Sequence, residues 1–181
     1  MDNQQVKDKM RDLQSRIIWL AGFIDGEGTI TVFTHYDKST KFRRFTPIIC
    51  VVNTEPNLIN EVQKIIDECG CSSYIMERIN DNPKHKNAYQ LSTRKMAHVK
   101  IILEKIIPYL VGKKAQAELT LRFINSRISR KGTGQNNQQS PYNVEEMGIS
   151  KTLYSLNRKG KSESSETICQ TANADDIVRT A

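Results

Sequence analysis

The residues best suited to chemistry are Asp25 and Glu27, two carboxylates interleaved with Gly26 and Gly28 in the run Trp19–Val32, WLAGFIDGEGTITV. Carboxylate oxygens are hard donors and suit a hard divalent cation such as Mg²⁺. The chain holds one copy of this run. If the segment leading into it packs against its own copy across a two-fold axis, two Glu27 side chains meet at its base. Close carboxylates repel unless cations bind between them. Metal held there can polarise a phosphate, generate hydroxide and stabilise a leaving oxygen. The simpler reading makes Asp25 and Glu27 ordinary turn residues, so the flanking elements must decide.

Upstream, Ile17, Ile18, Leu20, Ala21, Phe23 and Ile24 make the helix expected over Arg16–Ile24 apolar nearly all round. Such a helix is buried, in its own core or against another chain. Ala21–Gly22 is a small pair that allows close backbone approach, and Gly22 costs helix propensity. Leu20, Ala21, Gly22 and Ile24 are therefore the expected contact with a second copy. The Asp25–Gly28 stretch is expected to break the helix, with both glycines free to take backbone angles closed to other residues. Thr29-Ile30-Thr31-Val32 alternates and is β-branched, a strand with Ile30 and Val32 inward. Glu27 then lies at a helix-to-strand junction.

Leu20-Ala21-Gly22-Phe23-Ile24-Asp25-Gly26-Glu27-Gly28 closely resembles the motif of the LAGLIDADG homing endonucleases. Six of its nine positions match, and Glu27 occupies the penultimate, acidic one. The resemblance implies that Glu27 is the catalytic, metal-binding acid and that the Gly26 carbonyl is a backbone metal ligand. It further implies Mg²⁺ as cofactor, with Mn²⁺ as a substitute, and a homodimer whose sheets sit in the major groove over about twenty base pairs. The frame Pro108-Tyr109-Leu110-Val111-Gly112-Lys113-Lys114-Ala115-Gln116-Ala117 resembles the region of the family's pocket lysine and puts Lys113 in that place, with Lys114 as the near alternative. A water-positioning residue at the end of the second strand falls on Thr54, or on Asn53 if the register slips by one. Thr54 departs from the family's Gln there. The tail from Leu156 resembles a segment whose basic residues contact DNA backbone, implicating Lys151, Arg158, Lys159 and Lys161.

The remaining chain must position these groups. Strands are expected over Gly28–Tyr36, Phe42–Val52, Ser72–Ile79 and Lys86–Thr93. A helix follows Pro56 through Glu68 on Leu58, Ile59, Val62, Ile65 and Ile66, capped by Asn53 or Thr54 and stopped by Gly70. Further helices are expected over Lys95–Ile107, over Lys113–Ser129 on Ala117, Leu119, Leu121, Phe123, Ile124 and Ile128, and over Asn143–Asn157, with a short weak one over Glu166–Ala181. The fold class is α+β: an αββαββα core whose four-stranded antiparallel, saddle-shaped sheet carries helices on one face, plus extra C-terminal helices. The other face is expected to meet DNA through residues such as Thr31, Phe33, His35, Arg43, Lys84, Lys86 and Gln90, joined by Arg78. Lys38, Lys41, Arg43 and Arg44 give a basic hairpin tip, either solvated or facing DNA.

A chain of 181 residues fits one αββαββα unit rather than two. The expected division is a polar N-terminal extension (1–15), the core (16–130), a polar linker (131–142) and a C-terminal helical extension (143–181). A formal charge of +7, from 27 basic and 20 acidic residues, favours a polyanionic partner. Cys50, Cys69, Cys71 and Cys169 lack the two-pair spacing of a zinc site. No secretory leader or membrane-spanning run is evident, so the expected setting is intracellular: a chloroplast, a mitochondrion or a microbial cytoplasm. The expected activity is that of a site-specific double-strand DNA endonuclease encoded by an intron, cutting a pseudo-palindromic target. The alternatives are an RNA maturase acting on intron RNA and a DNA-binding protein that does not cut.

Overall fold

The computed structural model describes residues 3–38, 41–82, 84–130 and 141–158, and side chains from residue 11 onward. Helix α1 (Asn3–Glu27) leads directly into β1 (Gly28–Asp37), which forms a hairpin with β2 (Phe42–Asn53). Helix α2 (Pro56–Glu68) precedes a second hairpin, β3 (Tyr74–Arg78) and β4 (Ala88–Thr93). Then come α3 (Met96–Ile106), a single 3₁₀ turn (Ile107–Tyr109), α4 (Lys114–Ser129) and α5 (Val144–Asn157). The strands form one antiparallel sheet in the order β1-β2-β4-β3. This is the αββαββα core, and α4 and α5 follow it as the C-terminal helices.

One face of the sheet is core. Ile30 and Val32 of β1 lie opposite Ile49 and Pro47 of β2, and Val51 lies opposite Leu91 of β4. Against them pack Ile59, Val62, Ile65 and Ile66 of α2, Val99, Ile102, Leu103 and Ile106 of α3, and Ala117, Phe123 and Ile124 of α4, all buried. Each set recurs at three- and four-residue steps, the spacing that gives a helix one apolar stripe. Helix α2 starts on Pro56, needs no side-chain cap at Glu55, and ends before Gly70, whose φ of 71° is the left-handed value glycine accepts.

Several expectations are corrected. The motif helix is longer than Arg16–Ile24 at both ends: the N-terminal extension is its first half, and Asp25, Gly26 and Glu27 are its last turn rather than a break. Neither Gly26 nor Gly28 has positive φ. Gly28 is needed for space instead, because a Cβ there would stand 2.7 Å from the Ile24 carbonyl oxygen. On α4 the buried stripe is Gln116, Ala117, Thr120, Phe123, Ile124 and Arg127, while Ile128 is exposed and Leu119 and Leu121 are half-buried. Strand β4 begins at Ala88, so Lys84 and Lys86 belong to the β3–β4 connection. Tyr142 is no linker residue: its ring packs 4.4 Å from that of Phe45, and its hydroxyl accepts the Phe45 N–H at 3.2 Å. The expected helix over 166–181 and most of the expected linker lie outside the described residues.

Helix α5 runs along β1, a strand at the edge of the sheet. Ser150 donates to the Val32 carbonyl at 3.4 Å, and Asn157 donates to the Ile30 carbonyl at 3.1 Å. The free strand edge is thereby covered, which removes a template for unwanted pairing. Its other anchor is Glu146, fully buried in a capping box with Asn143 and reached by Arg127 at 3.4 Å, Arg130 at 3.0 Å and Ser126 at 2.9 Å. Burial pushes the Glu146 carboxyl up, but the Asn143 N–H, the Ser126 hydroxyl and the two guanidinium groups outweigh it and hold its pKa below the ordinary value.

Candidate nucleic-acid interface and motif acid

Alternation along the strands assigns the second sheet face. Opposite the core positions stand Thr29, Thr31, Phe33 and His35 of β1, with Arg44, Thr46, Ile48 and Cys50 of β2 across from them. The face continues through Gln90 and Ser92 of β4 to Tyr74, Met76 and Arg78 of β3. Its rims are exposed at Phe33, His35, Tyr74 and Met76, whereas Gln90 and Ser92 at its centre are buried. A recess of about 450 Å³ opens there, lined by Ser72, Ser73, Tyr74, Met76, Gln90, Ser92, Arg94 and Lys95. Arg78 donates to the Gln90 side-chain oxygen, which fixes that amide's orientation. Phe33 and His35 stack with ring centres 6.1 Å apart. Burial pushes the Cys50 thiol up, opposed by the nearby Arg78 and Arg94.

Thr31, Phe33, His35, Gln90 and Arg78 thus share the face expected of them. Arg43 does not. It lies opposite Tyr36, on the side of the sheet that carries Ile30 and Val32, and its neighbour Arg44 takes the place opposite His35. Arg44 also pairs with Asp37 at 2.9 Å. Lys38 and Lys41 are exposed at the hairpin tip, with Lys41 at φ 56°. Lys84 and Lys86 are exposed on the loop at the far end of β3 and β4. Lys151 is exposed on α5, and Arg158 closes that helix with its guanidinium 5.2 Å above the Tyr154 ring. Lys159 and Lys161 lie outside the described residues. The residues that sequence reading passed over on the open face are Tyr74, Met76, Ile48 and Arg94. Period-two alternation could have found the first three once the strand register was known.

At the base of α1, Glu27 is exposed and Gly28 begins β1 opposite Val51. Two residues earlier the Asp25 carboxylate turns away from solvent. It accepts the backbone N–H groups of Val111 at 2.7 Å, Gly112 at 3.1 Å and Lys113 at 2.8 Å. Burial pushes the Asp25 carboxyl up; the three N–H donors, aided by the Lys113 charge, outweigh that and hold its pKa below the ordinary value. The Lys113 ammonium donates to the Asp25 backbone carbonyl. A lysine from 88 residues along the chain is thereby fixed on the last turn of α1, which ends at Glu27. Lys114 is exposed as the first residue of α4. Asn53 accepts the Glu55 N–H at 2.8 Å through its side-chain oxygen, forming a local turn, and Thr54 is exposed without capping α2.

The expected contact with a second chain is revised for three of its four residues. Leu20, Ala21 and Ile24 are at most 1% exposed and belong to the chain's own core. The outward side of α1 carries Ser15, Ile18, Trp19, Gly22 and Gly26, at helical spacing. Ile18 is 48% and Trp19 39% exposed, and Trp19 stacks on Phe23 at 5.2 Å. Apart from the adjoining residues and the helix's own nearby backbone, no atom of the described residues lies within 4 Å of where a Cβ on Gly22 or Gly26 would stand.

The αββαββα unit thus leaves one helix-free, cation-bearing sheet face, with an acid at the base of its first helix. The LAGLIDADG-like domain description matches residues 15–107, just over half of the chain, and the chain belongs to that family. It is similar to the DNA endonuclease I-CreI of Chlamydomonas reinhardtii, 30% identical over 64% of this chain and 66% of that one. It is also similar to the DNA endonuclease I-CvuI of Chlorella vulgaris, 29% identical over 61% of this chain and 65% of that one. The chain thus spans just under two thirds of the length of these relatives. Among solved structures, I-CvuI bound to a DNA target superposes with a TM-score of 0.58, covering 84% of this chain and 88% of that one at 21% identity. An archaeal intron-encoded homing endonuclease complexed with DNA gives 0.57 over 80% and 86% at 14% identity. At these identities the superpositions establish the fold.

Proposed function

We propose that this chain is a site-specific DNA endonuclease that works as a homodimer and hydrolyses one phosphodiester in each strand of a long, pseudo-palindromic duplex. The observation that carries the reading is the exposed Glu27 at the base of the motif helix, two residues from the backbone carbonyl that Lys113 grips. The bare face of the sheet supplies the groove-reading surface. Its alternating side chains meet base edges, while Lys38, Lys41, Lys84, Lys86, Lys151 and Arg158 ring it as phosphate contacts. Arg43 and Arg44 point to opposite sides of β2, so Arg44 reads the groove and Arg43 meets the backbone at the rim.

The donor set at the base of α1 fits Mg²⁺, with Mn²⁺ as substitute. It consists of the Glu27 carboxylate and the Gly26 carbonyl, both hard oxygen ligands. Among the described residues no three of His, Cys, Asp and Glu come together; in this reading a second copy of Glu27 completes the donor set. When bound, the metal supplies polarisation of the phosphate and a water of lowered pKa. The chain's own part is to fix Glu27 at the end of α1 and to hold the Lys113 ammonium where negative charge builds on the phosphate. The second copy docks on the outward side of α1, where Gly22 and Gly26 permit close approach and Ile18 and Trp19 supply apolar surface.

The test is cleavage of duplex DNA spanning the intron-free insertion site, with Mg²⁺ and with EDTA. A double-strand cut in Mg²⁺ alone is expected. Glu27→Gln should abolish cutting and leave binding in Ca²⁺ within about twofold. Tight binding by the native protein with no cut in any metal would make it a non-cleaving DNA-binding protein. Binding to intron RNA alone would make it a maturase.

A further inference from the structure

We propose that Asp25 is a positioning residue, whose carboxylate clamps the 111–113 turn and so sets the Lys113 ammonium against the last turn of α1. The proposal rests on the endonuclease reading and adds a residue that the reading does not use.

The argument starts from what Asp25 costs where it stands. It is in the last turn of a 25-residue helix, where exposed carbonyls make the local potential negative and an acid is disfavoured. Gly26 beside it is among the weakest helix formers. Neither residue is there for the helix. The compensation comes from across the fold: Val111, Gly112 and Lys113 present three successive N–H groups to the two carboxylate oxygens, at 2.7 to 3.1 Å. These N–H groups immediately precede α4, whose N-terminal end is positive, so the same carboxylate that α1 disfavours is favoured by α4.

The turn it grips has little else to hold it. The Val111 side chain is 89% exposed and Gly112 is exposed. The Lys113 side chain, at the N-cap position of α4, does not itself cap that helix. Yet Lys113 must be fixed at both ends to be useful, and both ends meet Asp25: its N–H reaches the carboxylate, and its ammonium reaches the carbonyl. Lysine carries four rotatable bonds, and a side chain pinned only at its tip would sample many geometries. Pinning the backbone as well turns a mobile cation into a placed one. A displacement of about 1 Å in such a group costs on the order of 100-fold in rate.

The experiment compares the full-length native protein with Asp25→Asn, Lys113→Ala and the double variant, in single-turnover cleavage and in DNA binding with Ca²⁺. An amide offers one acceptor oxygen where the carboxylate offered two, and turns an N–H donor toward N–H donors. Asp25→Asn should slow cleavage roughly 10- to 100-fold with binding unchanged within about twofold. The double variant should be no slower than Lys113→Ala alone, because both changes remove the same placed ammonium. Losses that multiply in the double variant, or a loss in binding equal to the loss in rate, would overturn the proposal. A second measurement needs no variant: amide hydrogen exchange at Val111, Gly112 and Lys113 in the native protein. Protection there is expected despite the exposure of the turn, and exchange at the unprotected rate refutes the clamp. Should the native protein bind DNA but never cut it, the endonuclease reading fails while the exchange result still judges the clamp.

Discussion

Replacing Gly28 by alanine should damage both fold and activity, although it adds only one methyl group. The new Cβ would lie 2.7 Å from the Ile24 carbonyl oxygen and 2.9 Å from both Cα and Cγ2 of Ile24. Ordinary contact begins near 3.4 Å, so the junction must open by about 0.7 Å, the difference between 3.4 and 2.7. Two of these three atoms are backbone of a helix packed into the core, and Ile24 itself is 1% exposed, so no flexible side chain can yield. Overpacking of this kind costs about 1–3 kcal/mol. For a chain of this length that lowers Tm by about 2–12 °C. The motion also shifts Glu27, the preceding residue, and misplacement approaching 1 Å costs up to about 100-fold in cleavage. Gly22→Ala and Gly26→Ala provide the contrast. Apart from the helix's own nearby backbone, no atom of the described residues lies within 4 Å of either new Cβ, and alanine in place of a helical glycine adds up to about 1 kcal/mol to the stability of the chain itself. The assay is a set of thermal melts in dilute protein, followed by cleavage at 25 °C. A Gly28→Ala protein that melts within 1 °C of native and cuts at the native rate would show that α1 and β1 are not closely joined, and the reasoning fails.

Other consequences are more direct. Lys113→Ala should slow cleavage more than it weakens DNA binding; equal losses in rate and affinity would make Lys113 a phosphate contact. Gly22→Leu should convert a dimer to a monomer in sedimentation and abolish double-strand cutting, and a stable, active dimer would place the interface elsewhere. Glu146→Gln should cost about 3–5 kcal/mol in urea unfolding, since it leaves Arg127, 8% exposed, beside a neutral partner. Because Glu146's folded pKa lies below the ordinary value of 4.5, its contribution is full above that value. It declines as pH falls through 4.5 toward the folded pKa. Native protein should therefore lose stability in this acid range more steeply than Glu146→Gln, as read by Tm at pH 3 to 6, and parallel pH curves would refute the assignment.

How much of this was legible in the sequence depends on the range of the interaction. The motif run, the four strands and the apolar stripes of α2 and α3 follow from local spacing, and they emerged with their ends shifted by a residue or two. The end of α1 did not, because Asp25 and Gly26 are poor helix residues whose presence is compensated by a turn 86 to 88 residues away. Local propensity argues for a break, and tertiary hydrogen bonding overrides it. Arg43 and Arg44 illustrate a different limit. Two adjacent cations necessarily point to opposite sides of a strand, and only the pairing of β2 with β1 decides which reaches the open face. In α4 the apolar positions Leu119, Leu121 and Ile128 suggested the buried side. The true stripe carries Arg127, held by Glu146 and lying 4.4 Å over the Tyr142 ring. The signal for that partner was present as Asn143-x-x-Glu146, a capping box, which marks where α5 starts.

The proposed endonuclease reading asks for a second copy of the chain on two independent grounds. The proposed chemistry needs more than one free carboxylate at the base of α1, where Glu27 is exposed and Asp25 is engaged by the 111–113 turn. Helix α1 carries two glycines that its own packing leaves unexplained, since the space beside each is open. Each costs about 1 kcal/mol of helix propensity relative to alanine. Gly22 and Gly26 are one helical turn apart, so the open strip they make runs down α1 to Glu27, with Ile18 and Trp19 one turn above. With a two-fold axis running along the paired helices, a second copy seated on that strip brings its own Glu27 to the same end. One dimer contact thus accounts for the glycines, the exposed tryptophan and the missing second acid together. A single-chain account would need a separate reason for each.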